Sequence, residues 1–320
     1  MNVFRRSAEF LFLAALLMVL IGLFSALSDH FWSLQTFNTV ANRIPPLALA
    51  ALGMTFVLIA GGIDLSVGSV SALAGAVFGW MVVEQGAPVW IGVVTAIGSG
   101  LACGAFNGLL VNLLKMPSFI VTLGLLEGAR GLAYLATDSQ TKYLGDKLGA
   151  LQASVPFAGV SFSFVLALVL TGVAHFVMTR TVFGRHVVAV GTNEEASRLA
   201  GLSPTRVRAV VFMLAGSLAA LAGLCHISRL GAADPNAGSG LELSAIAAAV
   251  IGGTSLMGGR GAMLTTFVGV LIIATLEAGL AHLGVSEPMK RVITGAVIVG
   301  AVAAEALRTR WMKKRLARTN

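Results

Sequence analysis

Charge is the property that this sequence has least of. Only 11% of its 320 residues are charged and 7% are aromatic, whereas soluble globular domains are about 25% charged. This deficit excludes a cytosolic enzyme and a disordered chain, and the few aromatics exclude a nucleic-acid partner bound by base stacking. With 57% hydrophobic residues and a mean hydropathy of +0.89, the composition predicts an all-α, polytopic transmembrane helical bundle.

Cysteines and catalytic patterns are also scarce. The two cysteines, Cys103 and Cys225, lie in apolar runs and indicate no disulfide framework. The chain contains no G-x-x-x-x-G-K-[ST], H-E-x-x-H or G-x-S-x-G pattern, and its histidines lack metal-ligand spacing. We therefore expect no catalytic residue, no metal site and no cofactor bound by this chain. An integral-membrane enzyme is the least supported function.

Long apolar runs fill most of the chain. A bilayer core of about 30 Å needs about 20 apolar residues per helix. The sequence therefore predicts about ten spans in one transmembrane domain covering 1–320, near residues 10–28, 45–61, 65–83, 89–114, 118–136, 160–178, 209–228, 243–258, 262–281 and 292–307. The first span is expected to remain as an uncleaved anchor. Residues 28–44 are predicted to lie at the outer interface, and 137–159 to form the longest outer loop.

The positions of the basic residues predict the orientation. Of the 22 Lys and Arg, fifteen fall on one side of the predicted spans, six fall on the other side, and Arg130 lies within a span. Positive charge concentrates in cytoplasmic loops, so both termini are predicted to be cytoplasmic. The same side holds the N-terminus 1–9, the loop 179–208 and the basic tail 308–320. The net charge of +8 is thus explained by membrane topology.

Two glycine-rich segments resemble each other. Residues 61–69 can be placed over 252–260, an offset of 191, with identical residues at four of the nine positions. Paired glycine-interrupted segments after short apolar spans point to the substrate route of a transporter. The span count makes the two copies run in the same direction, whereas inverted repeats need an odd offset in helix number. A parallel repeat, a miscounted span and a coincidence of glycines all remain open.

Polar side chains in these two segments are the candidate pathway residues, namely Asp64, Ser66, Thr254 and Ser255. Asp64 follows two glycines, where a helix break exposes polar backbone that needs a cavity or a protein contact. It is either a pore-lining carboxylate or a helix N-cap, and both interpretations stay open. Glu127 and Arg130, three residues apart on one helix face, predict a structural ion pair.

A short helix is predicted inside the loop 179–208. Asn193 suits the N-cap and Glu194 and Glu195 suit the first turn. Gly201 can end the helix, with Pro204 three residues later. A short rigid helix in the longest inner loop is a surface that a soluble partner can grip, although a plain connector is the alternative.

Four motifs together resemble a known family. They are G-G-I-D-L-S-V-G-S at 61–69, P-S-F-I-V-T-L-G at 117–124, G-R-H-V-V-A-V-G-T-N-E-E-A-S-R-L-A-G-L at 184–202 and A-I-A-A-A-V-I-G-G-T-S-L-M-G-G-R-G at 245–261. In this order they are similar to the ribose-type permease subunits of bacterial ABC importers. The resemblance runs from about residue 40 to residue 305.

The resemblance implies a multi-pass protein of the bacterial inner membrane that imports a monosaccharide. Its implied partners are a second permease subunit, cytoplasmic ABC ATPase subunits that bind ATP and Mg, and a periplasmic sugar-binding protein. It also implies that the short helix is the ATPase-coupling helix, formed by Asn193, Glu194, Glu195, Ala196, Arg198, Leu199 and Gly201. It assigns no single residue to sugar contact.

Other functions remain open at this point. The same architecture can import another small polar solute, such as a branched-chain amino acid or a signalling furanose. A stand-alone secondary transporter is the second alternative. The sequence decides neither the sugar nor whether the two permease subunits are identical.

Overall fold

The structure is a computed structural model that describes residues 3–156, 159–297, 299–300 and 303. Its helices are α1 (Val3–Leu27), α2 (Leu34–Ile59), α3 (Val67–Gly79), α4 (Val89–Leu113), α5 (Ser118–Ala136), α6 (Gly149–Gln152), α7 (Phe162–Arg180), α8 (Val182–Thr192), α9 (Glu194–Leu199), α10 (Pro204–Leu230), α11 (Leu241–Ile251) and α12 (Met263–His282). A π-helical turn, Trp80–Glu84, extends α3. Two short strands, β1 (Lys142–Tyr143) and β2 (Ala232–Ala233), pair in antiparallel fashion.

Eight helices of the described part are long and apolar enough to cross a membrane. They correspond to eight of the predicted spans and confirm the helical membrane bundle. The predicted span 292–307 lies partly outside the described residues, within which 287–297 are helical. The basic tail 308–320 lies wholly outside them. The count of ten spans and the cytoplasmic location of both termini therefore stay predictions.

Most of the stretch 28–44 is helical, because α2 begins at Leu34, and its location at the outer interface stays a prediction. Ser33 caps this helix, its Oγ accepting a hydrogen bond from the Thr36 N–H. The helix continues through the buried Pro45 and Pro46. Proline usually ends a helix, but helices packed around a buried segment can satisfy the freed backbone groups.

The predicted span 243–258 is also replaced by a shorter element. Helix α11 has 11 residues, so it is about 16 Å long and cannot cross a hydrocarbon core of about 30 Å. The glycines that follow it end the helix well before Gly258. Residues 252–262 then form an irregular segment that leads into α12.

Helices α2, α3 and α10 form the centre of the bundle, and most of the α2 side chains are buried. Helix α10 packs against α4 through small residues. A Cβ on Gly104 would overlap the Phe212 carbonyl, and one on Gly216 would overlap the Gly100 carbonyl. Such close backbone approach is how helices associate without a hydrophobic driving force between them. The outward faces of α1, α4, α5 and α7 expose large apolar side chains, as expected for contact with lipid.

Candidate coupling and gating site

The short helix predicted in the loop 179–208 is present as α9. Asn193 has an extended backbone, and its side chain accepts a hydrogen bond from the Ala196 N–H at 2.9 Å. Gly201 adopts a φ of +83° just after the helix, a conformation that favours glycine. The N-cap and the terminating glycine thus lie where the sequence predicts them.

The seven residues proposed for this helix are exposed, whereas Ser197 is buried. Leu199 is 80% exposed, which leaves an apolar side chain accessible at the tip. Glu195 Oε1 bonds Arg198 Nη2 at 2.7 Å, and this bond raises the pKa of the Arg198 guanidinium. The surface of α9 therefore combines one apolar residue with charges of both signs, which suits contact with a soluble protein.

A second ion pair ties α9 to the long helix behind it. Glu194 Oε2 lies 2.6 Å from Arg208 Nη2, and the Arg208 side chain is 23% exposed. Arg208 also lines a cavity of about 170 Å³ together with Gly61, Gly62 and Ser118. This pair connects the exposed helix to the region where α2 ends. Sequence reasoning missed Arg208, because its partner is fourteen residues away.

Helices α2 and α11 end in the same way. In each, three successive N–H groups bond back to the last turn, and the middle residue is a glycine with φ of +82° (Gly61) or +83° (Gly253). The bonds are Ala60 to Phe56, Gly61 to Leu58 and Gly62 to Val57, against Gly252 to Ala248, Gly253 to Val250 and Thr254 to Ala249. The structural offset is thus 253 − 61 = 192, one more than the offset of the letter match.

The two helix ends meet at α8. The Gly259 N–H donates to the Ile59 carbonyl at 2.9 Å, and a Cβ on Gly191 would overlap that same carbonyl. A Cβ on Gly258 would lie 3.0 Å from the Gly61 Cα. We call Gly61, Gly191, Gly258 and Gly259 the glycine junction.

The position of this junction links it to α9. Gly191 is the penultimate residue of α8, and Asn193 begins α9 two residues later. A Cβ on Gly259 would also lie 3.0 Å from the Thr192 Cα. Gly191 and Thr192 thus pack backbone to backbone against the end of α2 and the segment that follows α11, and tightly packed backbones of this kind transmit displacement.

Comparison with known proteins identifies the family of this chain. Residues 36–302 match the family described as "Branched-chain amino acid transport system / permease component". The chain belongs to this permease family. It is an ABC transporter permease, a membrane component whose ATPase is a separate subunit, and a multi-pass protein of the inner membrane.

Several named permeases are similar over most of their length. The ribose import permease RbsC of Bacillus subtilis is 40% identical over 295 residues, 89% of each chain. RbsC of Escherichia coli K12 is 37% identical, covering 90% of this chain and 91% of its own. The galactofuranose transporter permease YtfT of Escherichia coli K12 is 37% identical, covering 92% and 89%.

A solved structure supports the fold. It is an inward-facing metal-chelate type ABC transporter, 16% identical to this permease, with a TM-score of 0.51. The match covers 93% of this permease and 99% of that chain.

The four candidate pathway residues of the permease are buried by its own chain. Asp64 is 2% exposed, Ser66 1%, Thr254 0% and Ser255 6%. They therefore build the two segments that follow α2 and α11 and do not line open space in this conformation. Ser255 shapes its segment through a bond from its N–H to the Arg260 carbonyl at 2.9 Å, while Thr254 Oγ1 has no partner among the described residues.

Asp64 organises the start of α3. Its Oδ1 accepts hydrogen bonds from the Ser66 N–H at 2.9 Å and the Ser66 hydroxyl at 2.6 Å. Asp64 is therefore not the N-cap of α3, since Ser66 holds that position without a side-chain cap bond, and the bond from the Ser66 N–H closes a turn just before the helix. Burial raises the pKa of the Asp64 carboxyl, and the two bonds from Ser66 oppose the rise.

Asn107 completes this group, although sequence reasoning missed it. It is 1% exposed, and its Nδ2 donates to Ser66 Oγ at 3.1 Å. Its Oδ1 is buried without a partner in the described part of the chain. An amide inside the apolar run of α4 was the available signal, because a polar residue within a span usually has a specific partner.

The predicted ion pair between Glu127 and Arg130 is wrong. Arg130 Nη1 donates to the carbonyls of Pro235 and Ala237, the latter at 2.7 Å. Glu127 is exposed and, although both residues are described, makes no ion pair with Arg130. Carbonyls of the segment before α11 satisfy the guanidinium, a long-range partner that helix spacing cannot reveal.

Proposed function

We propose that this permease moves a monosaccharide, a ribose-like pentose or a hexose, across the inner membrane after a periplasmic binding protein delivers it. The observation that carries this proposal is the glycine junction, where two helix breaks meet two residues before an exposed helix. The permease relatives named for ribose and galactofuranose support a sugar as the substrate class.

The proposed energy source is a cytoplasmic ABC ATPase that binds ATP and Mg. It docks on α9, which presents Glu195, Ala196, Arg198 and the exposed Leu199. When ATP closes the ATPase pair, α9 moves, and the pair between Glu194 and Arg208 carries α10 with it. The glycine junction passes the same motion to α2 and α11. This is rigid-body alternating access.

Asp64, Ser66, Thr254 and Ser255 have a supporting role in this proposal. They shape the two segments behind the junction, which we propose to be the cytoplasmic gate. Substrate affinity then resides mainly in the binding protein, since tight binding inside the permease would trap the sugar.

A second permease subunit is the proposed partner within the membrane. Glu127 lies midway along α5 and is exposed, and a charge facing lipid at that depth costs several kcal/mol. Gly124, Gly128 and Gly131 of the same helix have nothing within 4 Å of an added Cβ, which leaves room for a close neighbour. We propose that α5 faces the second subunit across a hydrated pathway.

Cysteine cross-linking tests the proposed subunit contact. A Glu127→Cys permease in native membranes should be joined into a dimer by a bifunctional thiol reagent long enough to span the pathway, while Leu168→Cys, exposed on α7, should not. Both variants carry Cys103→Ser and Cys225→Ser to remove background thiols. Equal cross-linking at both positions, or none at Glu127, would contradict this arrangement.

Charge reversal tests the coupling role. Glu195→Lys breaks an exposed pair with Arg198 at i,i+3, and the matched control Glu287→Lys breaks an exposed pair with Lys290 at the same spacing. We expect Glu195→Lys to lower sugar uptake and ATPase co-purification, and Glu287→Lys to retain both. Normal uptake with a well-expressed Glu195→Lys permease argues against coupling through α9.

The same transport assay identifies the substrate class. Uptake of labelled ribose, a hexose and leucine is measured with the partner ATPase and the cognate binding protein present. Leucine is included because the family description names branched-chain amino acids. Uptake of leucine alone contradicts the sugar proposal. Uptake that follows a proton or sodium gradient without the ATPase favours a secondary transporter.

A further inference from the structure

A buried polar chain lies between the α2–α3 break and α4. Asp64 Oδ1 contacts Ser66 Oγ at 2.6 Å, and Asn107 Nδ2 contacts the same Ser66 oxygen at 3.1 Å. All three side chains are at most 2% exposed. These three side chains are shielded from bulk water. Any charge or unpaired hydrogen-bonding atom among them must therefore be compensated by neighbouring protein atoms.

The balance fails if Asp64 is ionised. Burial removes a carboxylate from water, and only a cationic partner or enough hydrogen-bond donors can offset that loss. Burial raises the pKa of the Asp64 carboxyl and the two bonds from Ser66 lower it, and no basic side chain of the described residues lowers it further. The cations on the packed helices are engaged elsewhere, since Arg208 pairs with Glu194 and Arg130 binds two carbonyls.

The other titratable groups on the surrounding elements add no positive charge. Cys103 on α4 is neutral as a thiol, and Glu127 on α5 is exposed. Glu242 at the start of α11 lies beside Gly68, where its Oε1 accepts a bond from the Gly240 N–H at 3.2 Å.

The hydrogen bonds around Asp64 do not supply the missing charge. Asp64 Oδ1 accepts both of its bonds from Ser66, whose N–H and hydroxyl are neutral donors. Asn107 donates to Ser66 Oγ and makes no bond to Asp64. The group thus lacks one positive charge, which a single proton supplies.

We propose that the Asp64 carboxyl is a proton-binding site that stays occupied at neutral pH. The proton bonds to Asp64 Oδ2, Asp64 Oδ1 keeps both of its bonds from Ser66, and no other bond breaks. The α2–α3 break is held by a neutral network, and this inference does not depend on which solute the permease carries.

The proposal predicts a definite pH dependence of stability. In the unfolded chain Asp64 ionises near a pKa of about 3.9, whereas the folded value is raised by burial. Between these values the folded state binds more protons than the unfolded state, so stability falls as the pH rises. Asp64→Asn is neutral at every pH and should lack this part of the fall.

Infrared spectroscopy of the full permease complex in nanodiscs tests the proposal directly. Wild type should show the C=O stretch of a buried carboxylic acid at neutral pH. Asp64→Asn should lose it, and the exposed control Asp138→Asn should keep it. The band should disappear at alkaline pH together with part of the thermal stability of wild type, while Asp64→Asn stays level.

Two results would overturn the site. One is the absence of any carboxylic acid band that depends on Asp64. The other is a rise in the unfolding temperature of wild type, but not of Asp64→Asn, on adding sodium, which would place a metal cation there. If Asp64→Asn does not assemble, Ser66→Ala decides, because losing its hydrogen bond must shift the band in frequency. An unshifted band refutes the assignment.

Discussion

The two helix breaks of this permease share one cap and differ in what lies behind it. After α2, the segment 60–66 is held by side chains of α5. Ser118 Oγ accepts from the Ile63 N–H at 2.9 Å, and Thr122 Oγ1 accepts from the Leu65 N–H at 3.0 Å. These bonds fix the first break to its neighbour.

After α11, the segment 252–262 is held by backbone. The Ser255 N–H bonds the Arg260 carbonyl, and the Gly259 N–H bonds the Ile59 carbonyl, both at 2.9 Å. The Thr254 hydroxyl, though fully buried, bonds no group that the structure describes. The second break is thus positioned by backbone bonds within its own segment and to the first break, together with the bond that Ser255 Oγ accepts from the Met257 N–H at 3.2 Å.

This difference suggests that the two helix breaks have different roles. We infer that the break after α2 stays in place, whereas the break after α11 moves together with α8 and with α9, the proposed coupling helix. Identical caps therefore do not imply identical roles, because the partners beyond the cap decide which segment is free to move. Variants that treat the two breaks unequally test this interpretation.

The largest effect is expected at Gly191, where the two breaks and α8 meet. A side chain on Gly191 collides with the Ile59 carbonyl, and overpacking of this kind costs about 1–3 kcal/mol. Gly191→Val should abolish substrate uptake while the ATPase still co-purifies, because the linkage and not the docking surface is altered. Reconstituted uptake and ATPase assays on the same sample measure both.

Gly172→Val is the control for Gly191→Val. Gly172 lies on an exposed face of α7 with nothing within 4 Å of an added Cβ. Uptake should stay near wild type. A Gly191→Val permease that transports normally would remove the junction from the mechanism.

The next effect separates the breaks by their side chains. Thr122→Ala leaves the half-buried Leu65 N–H without its acceptor, which costs about 1 kcal/mol or more. Thr254→Val removes a hydroxyl that has no partner among the described residues and should leave stability unchanged or higher. Thermal unfolding of both variants in one detergent measures the contrast. Equal losses would mean that the two segments are supported alike.

Much of the fold follows from apolar length and a few caps. The predicted spans 89–114 and 118–136 match α4 and α5 to within a residue, and Asn193 with Gly201 bounds α9. These are local features, set by hydrophobicity and by backbone conformations that neighbouring residues decide. The glycine-rich ends of α2 and α11 could be recognised in the sequence for the same reason.

The errors came from partners that are distant in sequence. Pro45 and Pro46 continue a helix because the surrounding bundle satisfies the backbone. Arg130 binds carbonyls more than a hundred residues away, and the register of the two breaks differs by one from the best letter match. Helix spacing and residue identity carry no information about such tertiary contacts.

The smallest expected difference, that between Gly61→Ala and Gly253→Ala, tests whether the two helix caps are equivalent. Gly61→Ala and Gly253→Ala each force alanine into a left-handed conformation, which costs about 1–2 kcal/mol. Neither position has an atom closer than 3.8 Å to an added Cβ, so backbone strain alone acts and the two losses should be equal. Gly172→Ala on α7, a helical glycine with nothing within 4 Å of an added Cβ, should raise stability by up to about 1 kcal/mol. Unequal losses of stability at Gly61 and Gly253, measured by thermal unfolding, would show that the two caps contribute differently to stability.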